Sequence, residues 1–409
     1  MEMKQLLESL RSDAASFVHE GSYPLERAHE ALGSGNDGFA AAGNRRARRN
    51  TPEYFERLTE AVQIIKAARE HRYGAMIFEE AMQRADFPLY MGDVLDRQML
   101  GAYREHTPTW REYCRVGSVP DFRSVKRNYI DGAEGKLPQV GEQGKYLPAV
   151  LTEGEYSYSV NKYGRIIKWS WESYINDNQD QLGDSSPVRL ARAARRSEDR
   201  FATELHIDAN GPHASLYTSG NKNIINTTNG ASSSNPVLGI VGLQDAFTVM
   251  GLMLDGDGEP IGMDGGQLIL EVGPALAVTA ENLLGATQII VGADSGAQRI
   301  MTGNWLRAKV RAVVNPYIPL VATSANTHTT WCLHADPNTT RPALEMGFLR
   351  GYEGPQLFQK LADQVRLGGG GSAMDGSFED DSTAFKVRHV MGGGRQSGKA
   401  TVSSNGSGS

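Results

Sequence analysis

Residues 122–171 read FRSVKRNYIDGAEGKLPQVGEQGKYLPAVLTEGEYSYSVNKYGRIIKWSW. Toward the end of this stretch Tyr156, Tyr158 and Val160 alternate with polar residues, as a half-buried strand requires. The middle is polar and carries Gly132, Gly135, Gly141 and Gly144 with Pro138 and Pro148. It offers no apolar periodicity from which to build a core. The simplest geometry is a long β-hairpin arm projecting from a folded body, with ~10 to 12 residues a side and a reach of about 35 Å. Such an arm cannot bury its own backbone edge, so it needs a neighbour to lie on.

On the C-terminal side, Ser186 and Pro187 supply a helix cap and a first-turn proline. The run VRLARAARRSEDRFATELHI then continues without a breaker. Leu190, Ala194, Phe201 and Leu205 form a narrow apolar stripe on it. Arg195–Asp199 and Arg200–Glu204 are spaced as i,i+4 pairs. Residues 236–345 alternate candidate helices (GIVGLQDAFTVMGLML, GPALAVTAENLLGAT) with candidate strands (GQLILEV, TQIIVGA, KVRAVVNPYI, TWCLHA), which predicts an α/β domain. The tail is β-rich around FKVRHVM and ends in SSNGSGS, expected to be flexible. On the N-terminal side, WREYCRVGSV, from Trp110, alternates like a strand. TPEYFERLTEAVQIIKAAREH, residues 51–71, places Phe55, Leu58, Val62 and Ile65 on one helix face. Before it, a glycine-rich segment ends in Arg45, Arg46, Arg48 and Arg49, either a solvated loop or a contact for nucleic acid.

Composition bounds the possibilities. The 409 residues are 40% hydrophobic and 22% charged, enough for two or three domains with buried cores. Glycine stands at 46 residues, above the usual share of roughly 7%, which implies turns and long loops. With 42 basic and 48 acidic residues the net charge is −6, so no global field draws nucleic acid to the whole surface. Two distant cysteines, Cys114 and Cys332, exclude a disulfide framework or a zinc ribbon and suit a reducing cytoplasm. The N-terminus lacks an apolar signal core, and no stretch approaches the ~20 apolar residues of a membrane span.

Motifs for chemistry fail one by one. GGRQSGKA, residues 393–400, nearly matches a P-loop, but Ala400 stands where Mg²⁺ needs a hydroxyl. DGDGEP opens like a calcium loop at Asp255, yet Gly266 occupies the position that needs glutamate. A turn fits it better. His19-Glu20 and His29-Glu30 do not extend to H-E-x-x-H, and no G-x-S-x-G elbow exists. Cys332 lies near His328 and His334, and in a strand Cys332 and His334 share a face. A buried structural cysteine beside surface histidines is the expected state, with a thiol nucleophile or metal ligand as the sharper alternative. No catalytic, cofactor-binding or metal residue is expected.

Taken with the order of elements, the text itself resembles a known family. FRSVKRNYIDGAEGKLPQVGEQGKY and YSYSVNKYGRIIKWSWESYINDN look like the arm and following strand of HK97-fold major capsid proteins of tailed phages, of the Mu-like head-subunit type and its actinobacterial-phage relatives. ARAARRSEDRFATEL looks like that family's spine helix. NPYIPLVATSANTHTTWCLHADPNTTRPALEMGFLRGYEGPQLF and MDGSFEDDSTAFKVRHVMGG look like its closing part. The likeness spans about 87–409.

The resemblance implies an α+β fold of HK97-like plan. It divides the chain into a helical N-terminal segment (1–86), an N-arm and entry to the core (87–119), and an extended E-loop (120–155). A first part of the P-domain (156–229, spine helix 187–207), an A-domain (230–345), and closing P-domain strands with a flexible C-terminus (346–409) follow. It further implies self-assembly as pentamers and hexamers into an icosahedral shell around double-stranded DNA, in a virion assembled in the bacterial cytoplasm. Portal and decoration or scaffolding proteins would be partners, with no membrane. Lys136, Glu142, Lys145 and Tyr146 would lie against a neighbouring subunit, in salt bridges or in a lysine crosslink for which no motif identifies an asparagine. Loss of residues 1–86 on maturation is left open. The alternatives are an encapsulin-like nanocompartment shell, separated by its enzyme cargo, and a cysteine hydrolase using Cys332.

Overall fold

The computed structural model describes residues 99–408, apart from 106, 133–134, 147, 171, 173–185, 263–265, 292–299, 361–362 and 365–375. The expectations for 1–86, including the helix at 51–71 and the Arg45, Arg46, Arg48, Arg49 cluster, lie outside the described residues.

After helical residues 99–105 and a 3₁₀ turn at Thr109–Glu112 come β1 (Arg115–Val119), β2 (Val125–Asp131), β3 (Thr152–Tyr158) and β4 (Val160–Trp169). The long helix α1 (Ser186–His206) leads into a small ribbon, β5 (Ile207–Asp208) and β6 (Gly211–Pro212). Then follow α2 (Ile240–Gly251), β7 (Leu268–Val272), α3 (Ala277–Gly285), β8 (Gln288–Val291), β9 (Ile300–Gly303) and α4 (Leu306–Lys309). The chain continues through β10 (Val310–Val314), α5 (Ile318–Val321), β11 (Trp331–His334), β12 (Leu344–Leu349) and β13 (Gln356–Gln359). It closes with β14 (Thr383–Arg395) and β15 (Thr401–Ser404).

Two sheets organise the body. One runs β1-β12-β14-β13, with β4 also paired to β14. Its frame is β14, whose 13 residues are long enough to pair with β12 at one end, β13 at the other and β4 along most of their length. The other sheet runs β10-β7-β11-β15. Its strand β7 is buried at every position, so LILEV is an unbroken apolar run around one glutamate rather than an alternation.

The tail corrects an expectation. Thr401–Ser404 is the edge strand β15, antiparallel to β11, and all four of its residues are buried. The Gly408 amide donates to the Asn235 carbonyl at 2.8 Å. A polar, glycine-rich ending reads as floppy, yet serine and glycine fit where neighbouring backbone comes too close for larger side chains. The strand expected from Trp110 also starts later, at Arg115. Trp110, Tyr113 and Cys114 are all buried, and their spacing of three and one suits a helical turn, not an alternating strand.

Helix α1 forms where its periodicity predicts. Leu190 and Ala194 are buried with Met99, Tyr103, Ala191 and Val387. Leu205 enters the main core, with Phe201 packed at its border. The stripe is not the whole buried face, because Arg195, Glu198, Asp199, Thr203 and His206 are buried too. Arg200–Glu204 pairs as expected at 3.0 Å. Arg195 instead bonds Glu198 at 2.9 Å, while Asp199 accepts from the Thr109 and Trp110 amides at 2.8 and 3.3 Å. Capping the 3₁₀ turn gives Asp199 partners that a solvent-side pair would not.

Candidate assembly surface

The hairpin is present and shorter than expected. Strands β2 and β3 pair over seven positions from Val125↔Tyr158 to Asp131↔Thr152, a ladder of about 23 Å at roughly 3.3 Å per residue. Tyr129 stacks on Tyr156 with ring centroids 4.7 Å apart. Opposite Tyr129 sits Gly154, where an added Cβ would collide with the tyrosine ring. Both strands are mostly exposed. Beyond Asp131 the segment carries no strand until Thr152 among the described residues.

Its apolar side chains find no cover among the described residues of the chain. Leu137 is 87% exposed, Tyr146 86% and Val150 77%. Leu151 and Ile130 are exposed as well. A run of exposed apolar residues on a projecting ribbon marks an interaction surface rather than scattered surface leucines. Lys136, Glu142 and Lys145 are likewise exposed, and none makes an ion pair within the chain among the described residues. The structure therefore brings the four expected arm residues onto one solvent-facing segment without joining them to each other.

At its base the arm is clamped to its own subunit. Arg341 bonds Asp131 at 2.9 Å and holds that carboxyl below the ordinary aspartate range. The Gly135 amide donates to Asp257 at 3.1 Å and the Lys136 amide to Glu259 at 3.3 Å. Asp257 and Glu259 belong to the DGDGE turn, where Asp255 accepts from both of their amides at 2.9 Å, so the turn reading of that motif holds. On the other side Arg127 and Tyr158 converge on buried Glu345, at 2.7 and 2.5 Å. Between hairpin and body lies a cleft of about 600 Å³, lined by Arg115, Arg127, Asp131, Arg341 and Lys399 among others. Lys399, from the P-loop-like stretch, sits in a single 3₁₀ turn between two strands, so no phosphate-cradling helix follows it.

Two buried carboxylates hold the body behind the arm. Glu198 accepts from Trp110 Nε1 at 3.1 Å and Arg195 at 2.9 Å, and is hydrogen-bonded to Tyr103 and to His389 Nε2, the latter at 2.8 Å. Burial pushes its carboxyl up, and these partners outweigh burial to leave it below the ordinary glutamate value. Glu271 in β7 lies between His206 Nε2 at 2.7 Å and His334 Nε2 at 2.9 Å, and its other oxygen accepts from Asn315 at 2.6 Å. All three of these residues are completely buried. Burial again opposes ionisation of Glu271, and the two histidines overcome it; burial lowers the pKa of His334.

Sequence reading missed both hubs. Its only pointer was Cys332 beside His334, and there the structure corrects it: His334 is buried, not on the surface. Cys332 is buried as expected, and burial together with nearby Glu271 raises its thiol pKa strongly, the opposite of what a nucleophile needs.

Comparison with known proteins places this architecture. A family model described as phage capsid protein matches residues 154–402, well over half of the chain. The chain belongs to the phage capsid protein family. No curated protein matches it. Among solved structures, it is similar to the capsid of a native GTA particle, at 12% identity and TM-score 0.45, covering 73% of this chain and 90% of that one. The capsid of cyanophage P-SCSP1u matches at 11% identity and TM-score 0.43, covering 73% and 87%. A Mycobacterium phage Ogopogo chain matches at 14% identity and TM-score 0.40, covering 73% and 91%. Likenesses this loose carry no argument of their own, and membership rests on the family match.

Proposed function

We propose that this capsid protein is the major head subunit of a tailed phage, with the HK97-like plan. In that plan pentamers and hexamers close into an icosahedral shell around double-stranded DNA. The observation that carries the reading is the arm, clamped at its base and bare at its tip. Leu137, Tyr146, Val150 and Leu151 expose apolar area that no described residue of the chain covers, and identical subunits repeated around closed rings supply that cover without a second partner. Lys136, Glu142 and Lys145 would frame the same contact with polar pairs. Portal, scaffolding or decoration proteins, and the interior role of Arg45, Arg46, Arg48 and Arg49, extend the reading.

Among the described residues no helix is long and apolar enough to cross a membrane. The role is structural and not enzymatic, and the depressed acidity of Cys332 argues against the hydrolase alternative. Negative-stain microscopy of the expressed chain tests the proposal. Closed shells of uniform diameter are expected, holding DNA when assembled in infected cells. A monodisperse monomer at every ionic strength, with any required scaffold supplied, would refute it.

A further inference from the structure

Where α1 ends, His206 meets Glu271 of β7 and His334 of β11, and the hydrogen-bond inventory of the three does not close. His206 Nδ1 lies 3.1 Å from the Ala202 carbonyl oxygen, which can only accept, so the ring proton sits on Nδ1. A neutral His206 then turns the bare lone pair of Nε2 toward a carboxylate oxygen 2.7 Å away. A proton added there would gain the attraction of the carboxylate but no hydrogen bond, because Nε2 forms none despite that short distance: the oxygen lies off its axis. A fully buried ring nitrogen is thus left without a partner while aimed at the space beside Glu271.

We propose that His206, Glu271 and His334 form a structural site for a divalent transition-metal ion of the zinc type. The three donor atoms lie within 4.8 Å of one another. Two ligand atoms about 2.0–2.1 Å from an ion and at right angles to each other are about 2.9 Å apart. The 2.7 and 2.9 Å separations from the two imidazoles to Glu271 Oε2 fit that spacing. They are narrower than the roughly 3.3 Å of a regular tetrahedron.

Each ligand also has the outer partner such sites use to fix tautomer and orientation. His206 Nδ1 is held by Ala202, His334 Nδ1 by Thr401 Oγ1 at 3.0 Å, and Glu271 Oε1 by Asn315. Tyr113 packs its ring on both imidazoles, with centroids 5.2 and 5.3 Å away. Two imidazoles and one carboxylate suit a borderline ion and not calcium or magnesium, which take oxygen ligands. With all three ligands at 0% exposure, the ion enters during folding and stays. Its work is to pin the end of α1 to two strands of the β10-β7-β11-β15 sheet.

The test uses the full chain as purified, dialysed against a chelator and measured by elemental analysis. About one equivalent of transition metal should remain in the native chain and leave when the chain is unfolded with chelator present. Refolding with Co²⁺ should give visible absorption bands of a cobalt–histidine site, and refolding with Zn²⁺ should give a higher melting temperature than refolding without metal. His334→Gln should abolish retention, and a folded H334Q chain that keeps its full equivalent overturns the proposal. Should that variant fail to fold, the wild-type chain decides. Native protein free of transition metal, or metal-free and zinc-refolded samples with the same melting curve, overturns the site and leaves a purely hydrogen-bonded cluster. Neither result bears on shell formation, which microscopy reads separately.

Discussion

Glu198 shows how single charged residues are used behind the assembly surface. Tyr103, Trp110, Arg195 and His389 all face it, and Asp199 adds a like charge from the next position. Its folded pKa is below the ordinary value, so its contribution is fully present above the unfolded pKa of about 4.3 and fades as pH falls through the folded one. Glu198→Gln strands the buried Arg195 guanidinium and should cost the unassembled subunit about 3–5 kcal/mol in urea unfolding at pH 7. The gap between wild type and variant should shrink below about pH 4; an equal gap at pH 3 and pH 7 would assign the loss to packing instead. The cysteines make a second residue-scale prediction. Cys114 and Cys332 are 2% and 0% exposed, and burial raises both thiol pKa values. Iodoacetamide at pH 8 should label neither in the native chain and both after unfolding. Rapid native labelling of Cys332 would reopen the hydrolase reading.

Among the elements, the arm separates folding from assembly. Among the described residues its hold on the body ends at Lys136, through Asp131–Arg341, Gly135–Asp257 and Lys136–Glu259. Replacing 137–147 with a short turn keeps those contacts and removes Leu137 and Tyr146. Shortening a surface loop changes closure entropy by only about 0.6 kcal/mol per halving. The shortened chain should stay soluble and melt cooperatively near the wild-type temperature, yet form no shells by electron microscopy, because obligate interfaces bury on the order of 2,000 Å² or more. Intact shells would show that the arm tip is not the contact. An unfolded product would show that it belongs to the core. Helix α1 is the contrasting case: its stripe was readable from spacing, whereas its buried charges were not, since a helical wheel cannot know that the flank beside the stripe meets a second wall.

For the molecule as a whole, the decisive feature is the buried strand β15. Strand β15 pairs with β11, and Ser403 also exchanges backbone hydrogen bonds with Asn223 and Ile225 at 3.0 and 3.1 Å. Ending the chain at Ala400 leaves β11 as a bare edge and empties the place of Val402, which is fully buried. Each buried backbone group left unpaired costs about 1–3 kcal/mol, and several together rival the 5–15 kcal/mol that holds a typical domain. The truncated chain should be insoluble or lack a cooperative melt by circular dichroism. A stable, shell-forming product would return the tail to the dispensable role its composition suggests.

What the sequence determined by itself was local: the stripe of α1, the alternation of β3, the apolar run of β7, and the turn at Asp255. Each rests on a period or turn chemistry contained in a dozen residues, and the family resemblance rested on such stretches in order. Burial and long-range pairing were decided only by tertiary structure. SSNGSGS lacks any apolar signal, yet its first two residues, Ser403 and Ser404, complete the buried strand β15 because Asn223, Pro236 and β11 surround them. His206, Glu271 and His334 stand 65 and 63 residues apart in the chain, with no spacing rule to link them. They meet because a helix end and two antiparallel strands share one interior, and removal from water is what gives three ordinary side chains a common purpose.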